Sequence, residues 1–407
     1  MPTWEFAAGI PTGFAFSGTF TRWLPVAGYL TANIDTETHA QAKVQTSYTW
    51  TNLYAICTAW GTNDLTLRSR VGAVDGNLLV TVNGTGTFQD TVNSDSLVSG
   101  NLINWQWSRV TGGSATLTLI GSTLQDASTN TTFQCSNDNS VTAGIPDSVT
   151  RWTGISGRLS SGVGVGMATT ETAVQYTIRR ATTYSNLRVF FRVNGLNGAT
   201  LWRMRVDVGN GAQSISIAAG GTGAFEDTTN TDVVASGSEI NYQIDTTAST
   251  LSACNPVLAQ VTHTSTGREM AAGSVLPSSI TADAYYGPEG EVGSGTATES
   301  QVQLAARAAF TAKNLMVNVT AHGADASDIF FRKNTANTLL TVNVPSSSTG
   351  LFEDTTNQVS IAVTDLYNYF RDGAGESISI TIIGMEQGPG DAIFDLPGNR
   401  LNVLLRL

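Results

Sequence analysis

Asp90, Asn93 and Asp95 stand close together in one stretch of the chain, and Asp227, Asn230 and Asp232 repeat that spacing. Carboxylate and amide oxygens at such intervals are the hard ligands that calcium takes. A third stretch keeps Asp354 and Asn357 but carries Val359 at the last place, and no bidentate glutamate follows at a fixed offset. The set therefore reads first as turn chemistry, with Asp and Asn side chains bonding nearby backbone N–H groups. Glu37, Glu171 and Glu299 also recur. Paired carboxylates cleave glycosides, but each repeat offers one such glutamate at a matched place, which argues for a surface or turn role. His39, His263 and His322 are not equivalent between repeats and lack metal-ligand spacing. The sequence holds no Gly-x-Ser-x-Gly elbow, no phosphate-cradling Gly-Lys-Ser/Thr loop and no Cys-x-x-Cys pair. The chain is expected to be no enzyme and to carry no metal or other cofactor.

These residues sit inside three copies of one block. Residues 86–105 read GTFQDTVNSDSLVSGNLINW, 223–242 read GAFEDTTNTDVVASGSEINY, and 350–369 read GLFEDTTNQVSIAVTDLYNY. Phe88, Phe225 and Phe352 thus recur roughly 130 residues apart, the length of a domain and not of a solenoid turn. An upstream block repeats as well. The interval from Glu37 to Asn52 returns unchanged from Glu171 to Asn186 and from Glu299 to Asn314. Weaker echoes, WEFAAGIP near Trp4 and REMAAGSVLP near Arg268, mark the starts. The boundaries follow: repeats at 1–127, 128–265 and 266–387, with a tail at 388–407.

The internal grammar is β. Leu187, Val189, Phe191 and Val193 alternate with Arg188 and Arg192, and Leu315, Val317 and Val319 repeat the pattern. Trp202, Met204, Val206 and Val208 alternate with Arg203, Arg205 and Asp207. Strict alternation of this kind predicts strands with one buried face. Seven or eight strands per repeat, parted by Gly/Asn/Ser turns, predict an all-β chain of three tandem antiparallel β-sandwich domains of jelly-roll type. A short helix is allowed near 168–175 or 296–303. Within the motif, the phenylalanine is expected to anchor the core. Asn104, Asn241 and Asn368 are expected on the opposite face, bonding a neighbouring loop. Thr364 stands where the first two copies have Gly100 and Gly237, so the third turn is expected to differ.

Only 13% of residues are charged, against roughly 25% in ordinary soluble proteins, so polarity rests on Thr, Ser, Asn and Gly. A net charge of −11 argues against nucleic acid and anionic membrane surfaces as partners. No run of 18 apolar residues exists, and the N-terminus lacks the pattern of a secretory signal, so a cytoplasmic origin is expected. Three cysteines cannot make a full disulfide framework. Cys57 falls at a core position, while Cys135 and Cys254 are available to pair. Trp105 and Trp107 share a face with Ile103 and read as core. Trp60 breaks phase with Ala59 and could stack a surface glycan. Leu401, Val403, Leu404, Leu405 and Leu407 crowd the tail, and an apolar end has to be buried on its own repeat or on a neighbouring subunit.

The phrase at 223–242, with its echoes at 86–105 and 350–369, resembles segments of tailed-bacteriophage virion structural proteins. The resemblance implies a capsid decoration or tail-fibre component that works through contacts with itself or other virion proteins. Residues Phe88, Asp90, Asn93 and Asn104, Phe225, Asp227, Asn230 and Asn241, and Phe352, Asp354, Asn357 and Asn368 would then maintain shape, in a homo-oligomer housed in the virion. A carbohydrate-binding adhesin is the alternative, with loop tips or Trp60 as its contact.

Overall fold

The computed structural model describes residues 3–30, 34–109, 111–126, 130–138, 144–159, 167–265, 267–273, 279–373 and 375–389. The chain is all-β. Its first third runs β1 (Thr3–Ser17), β2 (Phe20–Leu24), β3 (Gly28–Tyr29), β4 (Ala42–Lys43), β5 (Tyr48–Trp60), β6 (Leu65–Val71), β7 (Val74–Val82), β8 (Gly86–Leu97), β9 (Leu102–Arg109) and β10 (Ser114–Asp126). One sheet has the order β3-β1-β10-β5-β8, and the other β2-β9-β6-β7 with β4 added on β9. Trp50 of the first sheet meets Trp105 of the second at 4.3 Å between ring centroids, inside one shared core.

Residues 131–264 and 268–389 each form two sheets of the same plan, and among the described residues no sheet mixes strands from different thirds. Long neighbouring strands are antiparallel; the short β1–β3 pair is parallel. Among the described residues each third also carries one 3₁₀ turn, at Glu37–His39, Glu171–Val174 and Glu299–Gln301, opening at the recurrent glutamate.

The recurrent Asn52, Asn186 and Asn314 mark a β-bulge. Their φ angles are 59°, 51° and 53°, and the strand register slips beside each. Asparagine tolerates this left-handed conformation better than most residues, which accounts for its place in all three copies.

Period-two burial holds in the second sheet of each third, as in Leu65–Val71 and Thr200–Val206. It fails in the first sheet. Ala253–Thr264 is buried almost without interruption, as is most of Ser114–Asp126. A sheet covered on both faces loses the alternation that a half-solvated sheet shows. Arg188, expected on a solvent face, is accordingly 3% exposed.

Thr364 corrects one expectation. Its φ is +76°, matching +92° at Gly100 and +93° at Gly237, and its amide makes the same bond, to Ala306, that theirs make to Val44 and Ile178. The third turn keeps its shape and carries the strain of a β-branched left-handed residue. Thr364→Gly is expected to stabilise the chain by about 1 kcal/mol, read as a raised denaturation midpoint.

Candidate functional site

The repeated Asp is a bracket between the two sheets. Asp227 is buried and accepts from the backbone N–H of Thr229 and Asn230 on its own strand, from Ser214 N on the other sheet, and from Asn230 Nδ2. Asp90 is held in the same way by Val92, Asn93 and Leu79, and Asp354 by Thr356, Asn357 and Thr341. Burial works against ionisation, yet the four donors outweigh it and keep all three carboxyls below the usual range. Oxygens ringed by N–H donors are not presented to a cation, so the calcium geometry is not formed here. Asp227→Asn would set an amide donor against those N–H groups. It is expected to cost about 1.5–3 kcal/mol at neutral pH in urea titration. The depressed pKa puts the bracket's contribution above the ordinary carboxylate range, and acid removes it.

Asp95 and Asp232 belong to a separate arrangement. Asp95 bonds Asn77 N, and Asp232 bonds Ala212 N and Gln213 N. Each needs a glycine opposite, since a Cβ on Gly76 or Gly211 would lie 2.6 or 2.7 Å from the carboxylate. The third copy has Thr338 facing that place and Val359 for the acid, so both partners changed together.

The recurrent glutamates are also structural. Glu37, Glu171 and Glu299 form two-point ion pairs with Arg70, Arg205 and Arg332, with the Nε bonds at 2.8, 2.8 and 2.6 Å. Each arginine also bonds the carbonyl of a tight hairpin turn, at Ala73, Val208 and Thr335. This clamps the 3₁₀ turn to the second sheet. The arginines recur 33, 34 and 33 residues after their glutamates, a nearly constant interval visible in the sequence.

Two other motif positions depart from expectation. Phe88, Phe225 and Phe352 are half-buried and pack on the rim of the core, while the Asp two residues on is buried. Asn104, Asn241 and Asn368 are fully buried and reach no loop. Each Nδ2 bonds the carbonyl of the following residue, at 3.2, 3.2 and 3.1 Å. Trp60 packs on the first core while Ala59 is exposed, so Trp60 is no surface platform. Trp105 and Trp107 are core residues. Cys57, Cys135 and Cys254 are buried free thiols. His263 is buried and pushed down to about 3, hence neutral. Leu401, Val403, Leu404, Leu405 and Leu407 lie outside the described residues.

The motif's remaining acid or amide points outward, to the next unit. Glu226 pairs with Lys43 of the first unit at 2.6 Å. The equivalent Glu353 pairs with Arg179 of the second, and the equivalent Gln89 accepts from Arg307 of the third. The units therefore contact one another in cyclic order, first on second, second on third, third on first. Backbone contacts repeat the order. Arg188 Nη1 donates to Gln41 O at 2.8 Å, Tyr54 Oη to the equivalent Gln303 O at 3.2 Å, and Asn318 Nδ2 to Thr172 O at 2.7 Å. Directional interfaces that close on themselves make a ring, here with an approximate threefold axis inside one chain. The seams cover the outer faces of the first sheets, which explains their two-sided burial. Tyr54, Ile56 and Leu119 of the first unit join the third unit's core, and Met316 and Ile382 of the third join the second's.

Three glycines meet around this axis. An aromatic, four residues, a glycine, one residue and an aliphatic recur as Trp23–Gly28–Leu30, Trp152–Gly157–Leu159 and Tyr285–Gly290–Val292. The φ angles of Gly28, Gly157 and Gly290 are +87°, +89° and +113°. A Cβ on Gly28 would meet Cys135 O at 2.8 Å, on Gly157 the backbone of Gly273 at 2.6 Å, and on Gly290 Gly9 O at 2.4 Å. Each clash falls on the next unit. The residues after the glycines also meet: Arg158 stacks over Tyr29 at 4.8 Å and pairs with Glu291 at 2.7 Å.

A buried charge cluster closes the seam between the third and first units. Arg268 and Glu289 are each 1% exposed and paired. Arg268 also bonds Glu5 O at 2.5 Å and lies 4.3 Å from the Phe6 ring, which contacts Phe133 at 4.8 Å. Glu289 accepts from Ala7 N at 2.7 Å. Burial pushes Glu289 up to about 7, and also raises Glu5, whose carboxylate accepts from Tyr367 and from the amide of Ala308.

Among the described residues no group of three or more His, Cys, Asp or Glu is placed to hold a metal ion, and no helix is long and apolar enough to cross a membrane. Comparison with protein-family models and with curated proteins gives no match.

Proposed function

We propose that this protein is a structural component of a virus particle, a capsid decoration or a tail or fibre element. It works through contacts with copies of itself or with other virion proteins and not through catalysis. One observation carries the reading: the acids shared by the repeats are spent on holding shape. The Asp brackets join sheets, the Glu–Arg clamps hold turns, and the outward Glu or Gln joins units. A catalytic site keeps carboxylates free to act on substrate, whereas these are bonded to N–H, guanidinium and ammonium groups of the same chain, Asp227 and Glu226 included although they line a surface hollow. The sequence resemblance to virion proteins, the low charge and the Thr/Ser/Gly-rich composition support the same role.

The apolar residues Leu401, Val403, Leu404, Leu405 and Leu407 are the proposed contact with a neighbouring subunit. Replacing Leu401, Leu404 and Leu405 with serine is expected to abolish self-association in light scattering while leaving the unfolding midpoint unchanged. The role itself is tested by sedimenting particles from cells that make the protein and probing the pellet for the chain. Its absence from every particle fraction, together with a monomeric mass, would overturn the proposal.

A further inference from the structure

We propose that the chain binds a carbohydrate, one or two pyranose rings in size, in the seam cleft between the second and third units. A pseudo-equivalent cleft lies between the third and first units. The first cleft has a volume of about 380 Å³ and is lined by residues including Thr172, Gln175, Glu239, Asn318, Thr320 and Leu351. The other has about 340 Å³, with Tyr54, Thr87, Ser300, Gln303, Arg307 and Leu366 among its lining. The positions correspond: Gln175 with Gln303, Thr172 with Ser300, Leu351 with Thr87, and Glu239 with Leu366. Both volumes fall in the range of small-molecule sites.

Each cleft has a buried amide donor in its wall. Gln175 and Gln303 are only 4% and 5% exposed, and the Nε2 of each has no hydrogen-bond partner. A buried amide donor left unmet is costly, and because neither nitrogen reaches the cleft surface, a ligand oxygen satisfies it once the glutamine side chain turns toward the cleft. The remaining lining selects the ligand class. Threonine hydroxyls both donate and accept, and Glu239, the one charged residue among those lining the first cleft, accepts and repels anions. Val319 and Leu351 supply an apolar wall. A pyranose offers hydroxyls on its rim and C–H groups on its face, which matches this mixture; a phosphate or carboxylate does not. In the second cleft the Arg307 guanidinium is already engaged, 5.5 Å from the Tyr54 ring and bonded to Gln89.

The third seam shows what a filled cleft looks like. Where the second unit has Ala173 the first has His39, and where the third has Asn318 the second has Phe190. The His39 and Phe190 rings pack at 5.1 Å across that seam. Sugar binding in the seams between units is independent of the structural role and involves neither the loop tips nor Trp60.

The test uses the full chain with maltose, lactose and N,N′-diacetylchitobiose as probes, followed by saturation-transfer NMR and by thermal shift. At least one probe is expected to bind with a dissociation constant of about 1 mM and to raise the unfolding temperature, since a seam ligand binds only the closed ring. Two variants localise it. Ala173→His combined with Asn318→Phe transplants the natural plug, and Glu239→Leu installs the residue found at the equivalent place. Each is expected to weaken binding at the first cleft about tenfold or more, the second cleft accounting for any residual signal. Failure of all three probes overturns the proposal, and so does binding that neither variant alters. Neither result bears on whether the chain sediments with particles.

Discussion

Replacing Arg268 with methionine is expected to destabilise the chain by about 3–5 kcal/mol at pH 8, the cost of leaving buried carboxylates without their cation. The pair is nearly fully enclosed, and the same arginine bonds Glu5 O and covers Phe6, so it holds the third unit on the first. The deficit should depend on pH in a definite direction. Glu289 sits at about 7 when folded, against an ordinary value of 4.5. Between those values the folded chain binds more protons than the unfolded one, so this group's contribution to stability falls as pH rises. Without the guanidinium the folded pKa rises further, and the loss extends above pH 7. Urea titrations should therefore show a smaller deficit at pH 5 than at pH 8. Equal deficits would mean that Glu289 does not carry the effect.

Gly157→Ala should be of similar severity. A left-handed alanine costs roughly 1–2 kcal/mol by itself. Here the added Cβ would also stand 2.6 Å from both N and O of Gly273, backbone atoms that cannot move aside. A total of about 3–5 kcal/mol is expected. Gly220→Ala is the control: its φ is +69° and nothing lies within 4 Å of the added carbon, so it carries the conformational term alone. A difference between the two variants measures the axial contact. If both lose the same stability, Gly157 is not packed against the third unit.

What the sequence disclosed divides along physical lines. Local chemistry was readable. Period-two alternation gave the solvent-facing sheets, and the recurrent Asp was seen as an acceptor for backbone N–H. Three of the letters most constant between copies, Glu37, Asn52 and Gly86 with their counterparts, mark an ion-paired turn, a bulge and a left-handed glycine. Positions governed by another unit were not readable. Arg188 looked like a surface residue because alternation cannot say whether a second face meets water or protein. Asn104 looked outward-facing for a different reason: alternation does not reveal a polar side chain buried within its own unit and bonded to the next carbonyl. The invariance of Phe88 suggested depth, whereas the ring lies half-buried at the rim and the deeper place on that face is taken by Asp90. Thr364 shows a different limit. Glycine reports a left-handed turn when present, but its absence did not abolish the turn, since the hydrogen bonds around it are the same in all three copies.

Tyr54, Arg188 and Met316 occupy one equivalent point in the three seams, and they share no chemistry. A trimer of separate, identical subunits could not do this; a single gene would write one residue at all three interfaces, and dilution would separate the parts. Covalent continuity lifts both constraints. The local concentration of each neighbour is fixed by the connecting chain, and every interface is free to drift under its own selection, one acquiring an aromatic plug while its sisters stay hollow.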